Sequence, residues 1–539
     1  MQFDSGPRVR LSEIGVDWYN LYKQRTRLNQ NWTAGRFVNS QLPHPNHPAE
    51  GHTDDIYAIQ LQGKHLVSGS VDRTIRIWDV DTGRLVGEPL QGHAGSVLCL
   101  QFDPRDHEDT IVSGGAGGEL IFWPAARVAG QRQDVWTIVN EAATASPVQP
   151  IVNMGQGFFG YNPPEFVLDA ARDALSKVEC NQYSPTKGRP RLKKAIANAY
   201  SPFFGRTLDP DKEVTITTGA NEGMLSAFMA FLEQGDEVIV FEPFFDQYIS
   251  NIEMPGGKVV YVPLHPPKDG ATKTTSAGEW TLDMKALEAA ITDKTRMIVL
   301  NSPHNPIGKV FTKQEMQAIG DLCVKHNIII LSDEVYDRLY YVPFTRMATL
   351  SPEIANLTLT VGSGGKNFYA TGWRVGWLIG PEHMIKYVSA AHTRICYSSV
   401  SPLQEATAVA FEQADAHNFW DESKAEMKGK VDRFTQVFDE LGLPYSEPEG
   451  GYFVLVNLAK VKLPEDYDFP SHVANRPRDF KLSWFCIVEL GVAAIPPTEF
   501  FTDANAHIVE DWLRFAVCKN DDVLEQAKER LRGLKKYIQ

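Results

Sequence analysis

NIIILSDEVY (327–336) and LTLTVGSGGK (357–366) are short apolar runs that each end in polar residues. DEVIVFEP (236–243) and TRMIVLNSP (295–303) are built the same way. Between them lie stretches with amphipathic helical periodicity. Apolar runs of about four to six residues alternating with helices indicate strands buried on both faces, and so a mostly parallel sheet covered by helices, an α/β architecture. Ligands of such sheets collect at the carboxyl ends of the strands. The polar residues that close the runs are therefore the first candidates for a site.

Working outward, TITTGANEGMLSAFMAFLEQ (215–234) is a β-branched run that stops at Gly219 and continues as an amphipathic helix. A helix start offers free N–H groups, so Gly219, Ala220 and Asn221 could cup a phosphate, although a glycine before a helix is more often a plain turn. EPFFDQY (242–248) brings Phe244 and Phe245 to the same edge, where an aromatic face could stack on a flat ring or simply pack in the core. NSPHNPIGK (301–309) aims the amide of Asn305 there too. Asp333, at the end of a run of apolar residues and three positions before Tyr336, is costly to bury alone. It calls for a cationic partner, either an arginine or a protonated pyridine nitrogen. In GSGGKNFYATGWRVGW (362–377) the glycines let Lys366 approach a ligand, and Ser363 and Arg374 flank it with groups suited to phosphate.

These strings, together with NMGQGFFGYNPPEF (153–166), NQYSPTKGRPRLKKAI (181–196), SDEVYD and WLRFAVCKND (512–521), occur in one order. Residues 134–539 thereby resemble the class I, fold-type I aminotransferases, most of all the kynurenine aminotransferase / glutamine transaminase K branch. The resemblance implies pyridoxal 5'-phosphate as cofactor, held by Lys366 as a Schiff base, with the same lysine shuttling the substrate proton. It assigns Asp333 to the pyridine nitrogen, Asn305 and Tyr336 to the phenolic oxygen, and Phe245 to the ring face. Gly219, Ala220, Ser363 and Arg374 fall to the phosphate, and Asn221 lies beside them where the kynurenine branch often has an aromatic residue. Tyr183 would reach the phosphate of a neighbouring subunit, which implies a homodimer. Arg514 would clamp the substrate carboxylate with Gly157 and Asn305. The implied reaction moves an amino group from kynurenine, or another aromatic or large neutral amino acid such as glutamine, to a 2-oxo acid, with β-elimination from cysteine S-conjugates as a side activity. A large domain over about 180–430 and a small one from about 134–180 and 431–539 are expected. Ser363-Gly364-Gly365-Lys366-Asn367-Phe368-Tyr369 departs from the family's usual Ser-Ala-Gly-Lys-Thr-Phe-Ser without losing a functional group.

The first part of the chain is of another kind. GHTDDIYAIQLQGKHLVSGSVDRTIRIWD (51–79) is echoed by GHAGSVLCLQFDPRDHEDTIVSGGAGGELIFW (92–123), a period of 41 residues that resembles WD-repeat propeller blades. His52, Ser68 or Ser70, Asp72 and Trp78 would form the first blade's polar network. The second keeps His93, Ser113 and Trp123 but has Gly117 at the Asp position. Two WD repeats over 51–126 make an incomplete propeller, since closure takes about four to eight blades. Residues 1–50 read as a linker-like segment, and VDWYNLYKQRTRLNQNWTAGRF (16–37) resembles the stretch ahead of the repeats in F-box/WD-repeat ubiquitin-ligase receptors. A remnant is the economical expectation, by fusion or by the joining of two neighbouring genes. A ligase receptor or a catalytically inactive fusion is the alternative.

A chain of 539 residues exceeds what one core supports, so at least two folding units are expected. The net charge of −14 argues against a nucleic-acid partner. Six cysteines without CxxC spacing suggest buried free thiols and no metal site. No stretch reaches the roughly 20 apolar residues of a membrane span, and the first residues have no apolar signal core. A cytoplasmic enzyme is expected, with a mitochondrial one as the alternative.

Overall fold

The computed structural model describes residues 42–62, 65–80, 82–87, 89–102, 111–118, 120–123 and 135–539. The stretch 16–37 and the connection 124–133 lie outside them. The chain forms two compact units that divide between Gln133 and Asp134.

In the first unit, strands Ile56–Gln62, His65–Ser70, Thr74–Asp79 and Arg84–Leu85 pair antiparallel in sequence order, and Leu90–Gln91 pairs with the third. A second sheet holds Val97–Phe102, Ile111–Gly115 and Leu120–Trp123. Val67, Ile75, Ile77, Leu90, Val97 and Ile111 form one small core shared by the two sheets. His52 bonds Asp72 through Nδ1 at 2.8 Å and Ser68 through Nε2 at 2.8 Å, and the Trp78 indole donates to the same Ser68 at 2.8 Å. Ser68 is therefore the serine of the network, while Ser70 donates to the Asp54 carbonyl. The second blade keeps the His93–Ser113 bond at 2.7 Å although Gly117 has no carboxylate to offer.

The second unit is built on an eight-stranded sheet. In chain order its strands are β1 (Val214–Thr217), β2 (Glu237–Glu242), β3 (Lys258–His265), β4 (Thr281–Leu282), β5 (Thr295–Asn301), β6 (Ile329–Asp333), β7 (Thr358–Ser363) and β8 (Gly376–Ile379). Their spatial order is β1-β8-β7-β6-β5-β2-β3-β4. The neighbours β7-β6-β5-β2-β3 run parallel, whereas β8 is antiparallel to both β1 and β7. Strands β1, β6 and β7 are buried at every position, as a sheet covered on both faces requires. A smaller antiparallel sheet carries Tyr445–Glu447, Phe453–Asn457 and Trp512–Ala516. Helix Val135–Ala145 packs Val135, Ile138, Val139 and Ala142 against a cluster that includes Val473, Phe480 and Trp484. All six cysteines are free; Cys180, Cys323, Cys486 and Cys518 are buried as expected, but Cys99 is exposed and Cys396 only partly covered. Among the described residues no helix is long and apolar enough to cross a membrane.

Candidate active site

The carboxyl ends of β2, β5, β6 and β7 open onto a cavity of about 360 Å³. Gly157, Ala220, Asn221, Phe245, Asn305, Asp333, Tyr336, Ser363, Lys366, Arg374 and Arg514 all line it. Gly219 stands just behind, where a Cβ would meet the Arg374 guanidinium at 2.7 Å, and its φ of +82° also favours glycine. Tyr183 lies apart from the cavity, 83% exposed, with its ring edge-on to Tyr397.

Asp333 ends β6, and its neighbours turn the other way. Glu334 and Asp337 grip the buried Arg346 at 2.6 and 2.8 Å, leaving Asp333 alone to face the cavity. The sequence called for a cation here. The chain supplies instead the Tyr248 hydroxyl, which donates to one carboxylate oxygen, and the Val335 N–H at 3.3 Å on the other. No lysine or arginine among the described residues pairs with it, so burial pushes its pKa up to about 6, against the pull of both hydrogen bonds. A buried carboxylate held by two neutral donors keeps room for a cationic hydrogen-bond donor from the cavity.

Lys366 sits in the short helix Gly364–Asn367, which Ser363 caps by accepting from the Lys366 N–H at 3.3 Å. Gly365 serves packing here more than flexibility, because a Cβ on it would lie 2.8 Å from the Thr371 Cα. The Lys366 Nζ donates to the Tyr452 hydroxyl at 2.8 Å and the Gly157 carbonyl at 3.3 Å. Burial, reinforced by Arg514, brings its pKa down from 10.5 to about 8. At pH 7 about a tenth of such amines are neutral, against about 0.03% for an ordinary lysine. In the cofactor-free enzyme, labelling of Lys366 by a small amine-reactive reagent should therefore rise with pH and level off with a midpoint near 8; a rate still climbing at pH 10 would refute the depressed value.

Arg514 projects from the strand Trp512–Ala516. It donates to the Gly155 carbonyl at 2.8 Å and the Asn305 side-chain oxygen at 3.2 Å, between the Phe453 and Phe500 rings. It is buried, its Nε has no partner, and no carboxylate pairs with it among the described residues. Burial lowers its pKa to about 10, so it stays charged and open to an incoming anion. Arg374 also has no carboxylate partner among the described residues and spends one N–H on the Thr371 carbonyl. The helix Gly219–Phe231 begins beside it.

Sequence reading missed Tyr248, Tyr452 and the wall residues Val135, Trp136, Phe158 and Phe500. Tyr248 closes the EPFFDQY string, so its place was signalled although its partner was not.

This fold, with a lysine, an unpaired buried carboxylate and an unpaired buried arginine around one cavity, is that of a fold-type I aminotransferase. The sequence model of "Aminotransferase class I and II" matches residues 149–531, and the chain belongs to that family. More particularly, it is 53% identical over 414 residues to the "Probable kynurenine--oxoglutarate transaminase BNA3" of Saccharomyces cerevisiae, covering 75% of this chain and 93% of that one. It is 35% identical over 421 residues to human "Kynurenine--oxoglutarate transaminase 3", covering 77% and 91%. The crystal structure of Bna3p, a putative kynurenine aminotransferase from Saccharomyces cerevisiae, superposes with a TM-score of 0.74, covering 75% of this chain and 97% of that one. The model "WD domain, G-beta repeat" matches residues 44–79 and 83–124. The enzyme is thus a pyridoxal 5'-phosphate-dependent aminotransferase.

Proposed function

We propose that the chain moves the amino group of L-kynurenine, or another aromatic or large neutral amino acid such as glutamine, to a 2-oxo acid, acting as a cytoplasmic homodimer. The observation that carries the reading is Arg514: a buried guanidinium without a carboxylate partner among the described residues, lining with Lys366 a cavity walled by Trp136, Phe158, Phe245, Phe453 and Phe500. A carboxylate fits the arginine and an aromatic side chain fits the walls. The kynurenine–oxoglutarate transaminase names of the relatives point the same way.

The donor set suits the cofactor at each end. Gly219, Ala220, Asn221, Ser363 and Arg374 would hold its phosphate, Asp333 its ring nitrogen, Asn305 and Tyr336 its phenolic oxygen, and Phe245 one ring face. Bound there, pyridoxal phosphate supplies an electron-withdrawing ring that accepts the electron pair left on the substrate α-carbon. Asp333 keeps a positive charge favourable at the ring nitrogen. Arg514, with Gly157 and Asn305, orients the substrate by its carboxylate. Lys366, neutral at a cost lowered by burial, would take the proton from the substrate α-carbon and release it on the cofactor side rather than back to that carbon. The exposed Tyr183 supports the dimer, since it has no part in its own subunit's cavity.

The test is turnover of L-kynurenine with 2-oxoglutarate by the purified enzyme and its Arg514→Lys variant. Wild-type turnover is expected, with kcat/KM reduced about 100-fold in the variant, chiefly through KM, because lysine cannot make the bidentate contact. Turnover of other amino acids but not kynurenine would discard the substrate.

A further inference from the structure

The strands of the two blades in the first unit occupy equivalent positions, and that equivalence shows what their outer faces are made to touch. Ile56 and Ile59 of the first blade correspond to Val97 and Leu100 of the second, and Gly69 and Ile75 correspond to Gly114 and Leu120. The strand pairing bears this out. Each blade has a register shift at the same place, between Ile56 and Ala58 and between Val97 and Cys99, opposite Gly69 and Gly114 respectively.

Where the blades meet, Val97 and Leu100 press on the first blade at Gly69. A Cβ there would lie 3.0 Å from the Val97 Cβ and 2.9 Å from the Leu100 Cδ2. Val97 and Ile75 are accordingly both 0% exposed. The same repeat positions on the outer sides are bare: Ile56 is 51% exposed, Ile59 67% and Leu120 69%. One outer face thus presents the isoleucines that a preceding blade would cover. The other presents Leu120, next to Gly114, which is itself buried, with the Cys99 Sγ of its own blade 2.8 Å from where a Cβ would stand. Each is the counterpart of the other, since the contact they would make already exists inside the chain between Val97, Leu100 and Gly69.

We infer that two copies of the blade pair close on each other into a four-bladed propeller, Ile56 and Ile59 of each copy packing on Gly114 and Leu120 of the other. Four is the smallest number of blades that closes such a ring. Two pairs related by a twofold axis use both outer faces twice and leave no bare one. A single-copy remnant would leave these apolar rows in water, an association-prone surface. The inference rests on the repeats alone and does not require the dimer proposed above.

In the full-length enzyme, a Cys99→Ala background, which gives position 99 the side chain of its counterpart Ala58 and removes the thiol that would meet a Cβ at 114, carries Ile56→Cys and Gly114→Cys; the matching Val97–Gly69 spacing is 3.0 Å between β-carbons, so a shift of about 0.5 Å across copies reaches disulfide geometry. On oxidation it should run as a covalent pair of chains, with conversion of more than half the protein, while neither parent carrying only one of the two added cysteines does so. Mixing the two parents should join one chain of each. Activity retained without cross-linking would overturn the inference, and a ladder beyond two chains would overturn ring closure. Should the substituted chains fail to fold, hydroxyl-radical footprinting of the unaltered enzyme decides the matter. Ile59 and Leu120 are expected to be as unreactive as Ile75, and reactivity typical of open surface would refute the ring, as would protection traced to residues 1–41 or to a foreign protein.

Discussion

Lys366→Ala is expected to lower transamination about 10⁴-fold or more while leaving the fold unchanged, because it removes the one lysine that lines the cavity among the described residues, and with it the amine proposed to carry the substrate proton. Lys366 is held by a phenol at 2.8 Å and a carbonyl at 3.3 Å, and no other lysine lines the cavity. Its loss leaves Tyr452 its own bond to the Gly157 carbonyl at 2.8 Å, so the surroundings keep a hydrogen-bonded arrangement. A small primary amine added to the variant should restore part of the rate, since it can enter the vacated space and carry the same proton. Single-turnover measurement of amino-acid consumption reads both effects. A variant keeping a tenth of the activity would show that another group moves the proton.

Asp333→Asn should show opposite effects on turnover and on stability. Turnover should fall about 10²- to 10³-fold, the usual cost of removing one well-placed electrostatic group. The cofactor-free protein should at the same time become more stable. The Asp333 pKa is raised in the fold from 3.8 to about 6. The folded protein thus holds that proton more tightly than the unfolded chain does. The penalty for the ionised form is absent below about pH 4, grows between pH 4 and 6, and is complete above pH 6. At about 1.4 kcal/mol per pH unit it amounts to at most about 3 kcal/mol. Asparagine removes it and still meets both neighbours, its carbonyl accepting from the Val335 N–H and its amide donating to the Tyr248 oxygen. Thermal unfolding at pH 7 should shift up by a few degrees, with the difference shrinking toward pH 4. A lower Tm for the variant at pH 7 would mean that the buried charge has a partner after all.

Much of the catalytic unit is legible because its chemistry lies where strands end. Gly219, Asp333 and Lys366 each close an apolar run or follow one directly, so strand assignment alone brings them to one edge. Tyr248 and Tyr452 escape such reading because their roles exist only across the fold. Tyr248 meets Asp333 from 85 positions away and Tyr452 meets Lys366 from 86. In the sequence the glycines before Lys366 stand out as letting it approach a ligand, whereas in the fold Gly365 is small because the Thr371 backbone is packed against it. In the first unit the His-Ser-Asp-Trp spacing was legible, and the choice of Ser68 over Ser70 depended on which face of the strand meets His52.

The helix Val135–Ala145 ends before the aminotransferase match begins at residue 149, yet its first two residues wall the cavity. The border of the recognised family is therefore not the border of the reaction chamber. Selection on this enzyme's taste in substrates can act on residues that comparison of family domains leaves out of view. Two relatives with identical domains could differ in specificity through this leading helix alone.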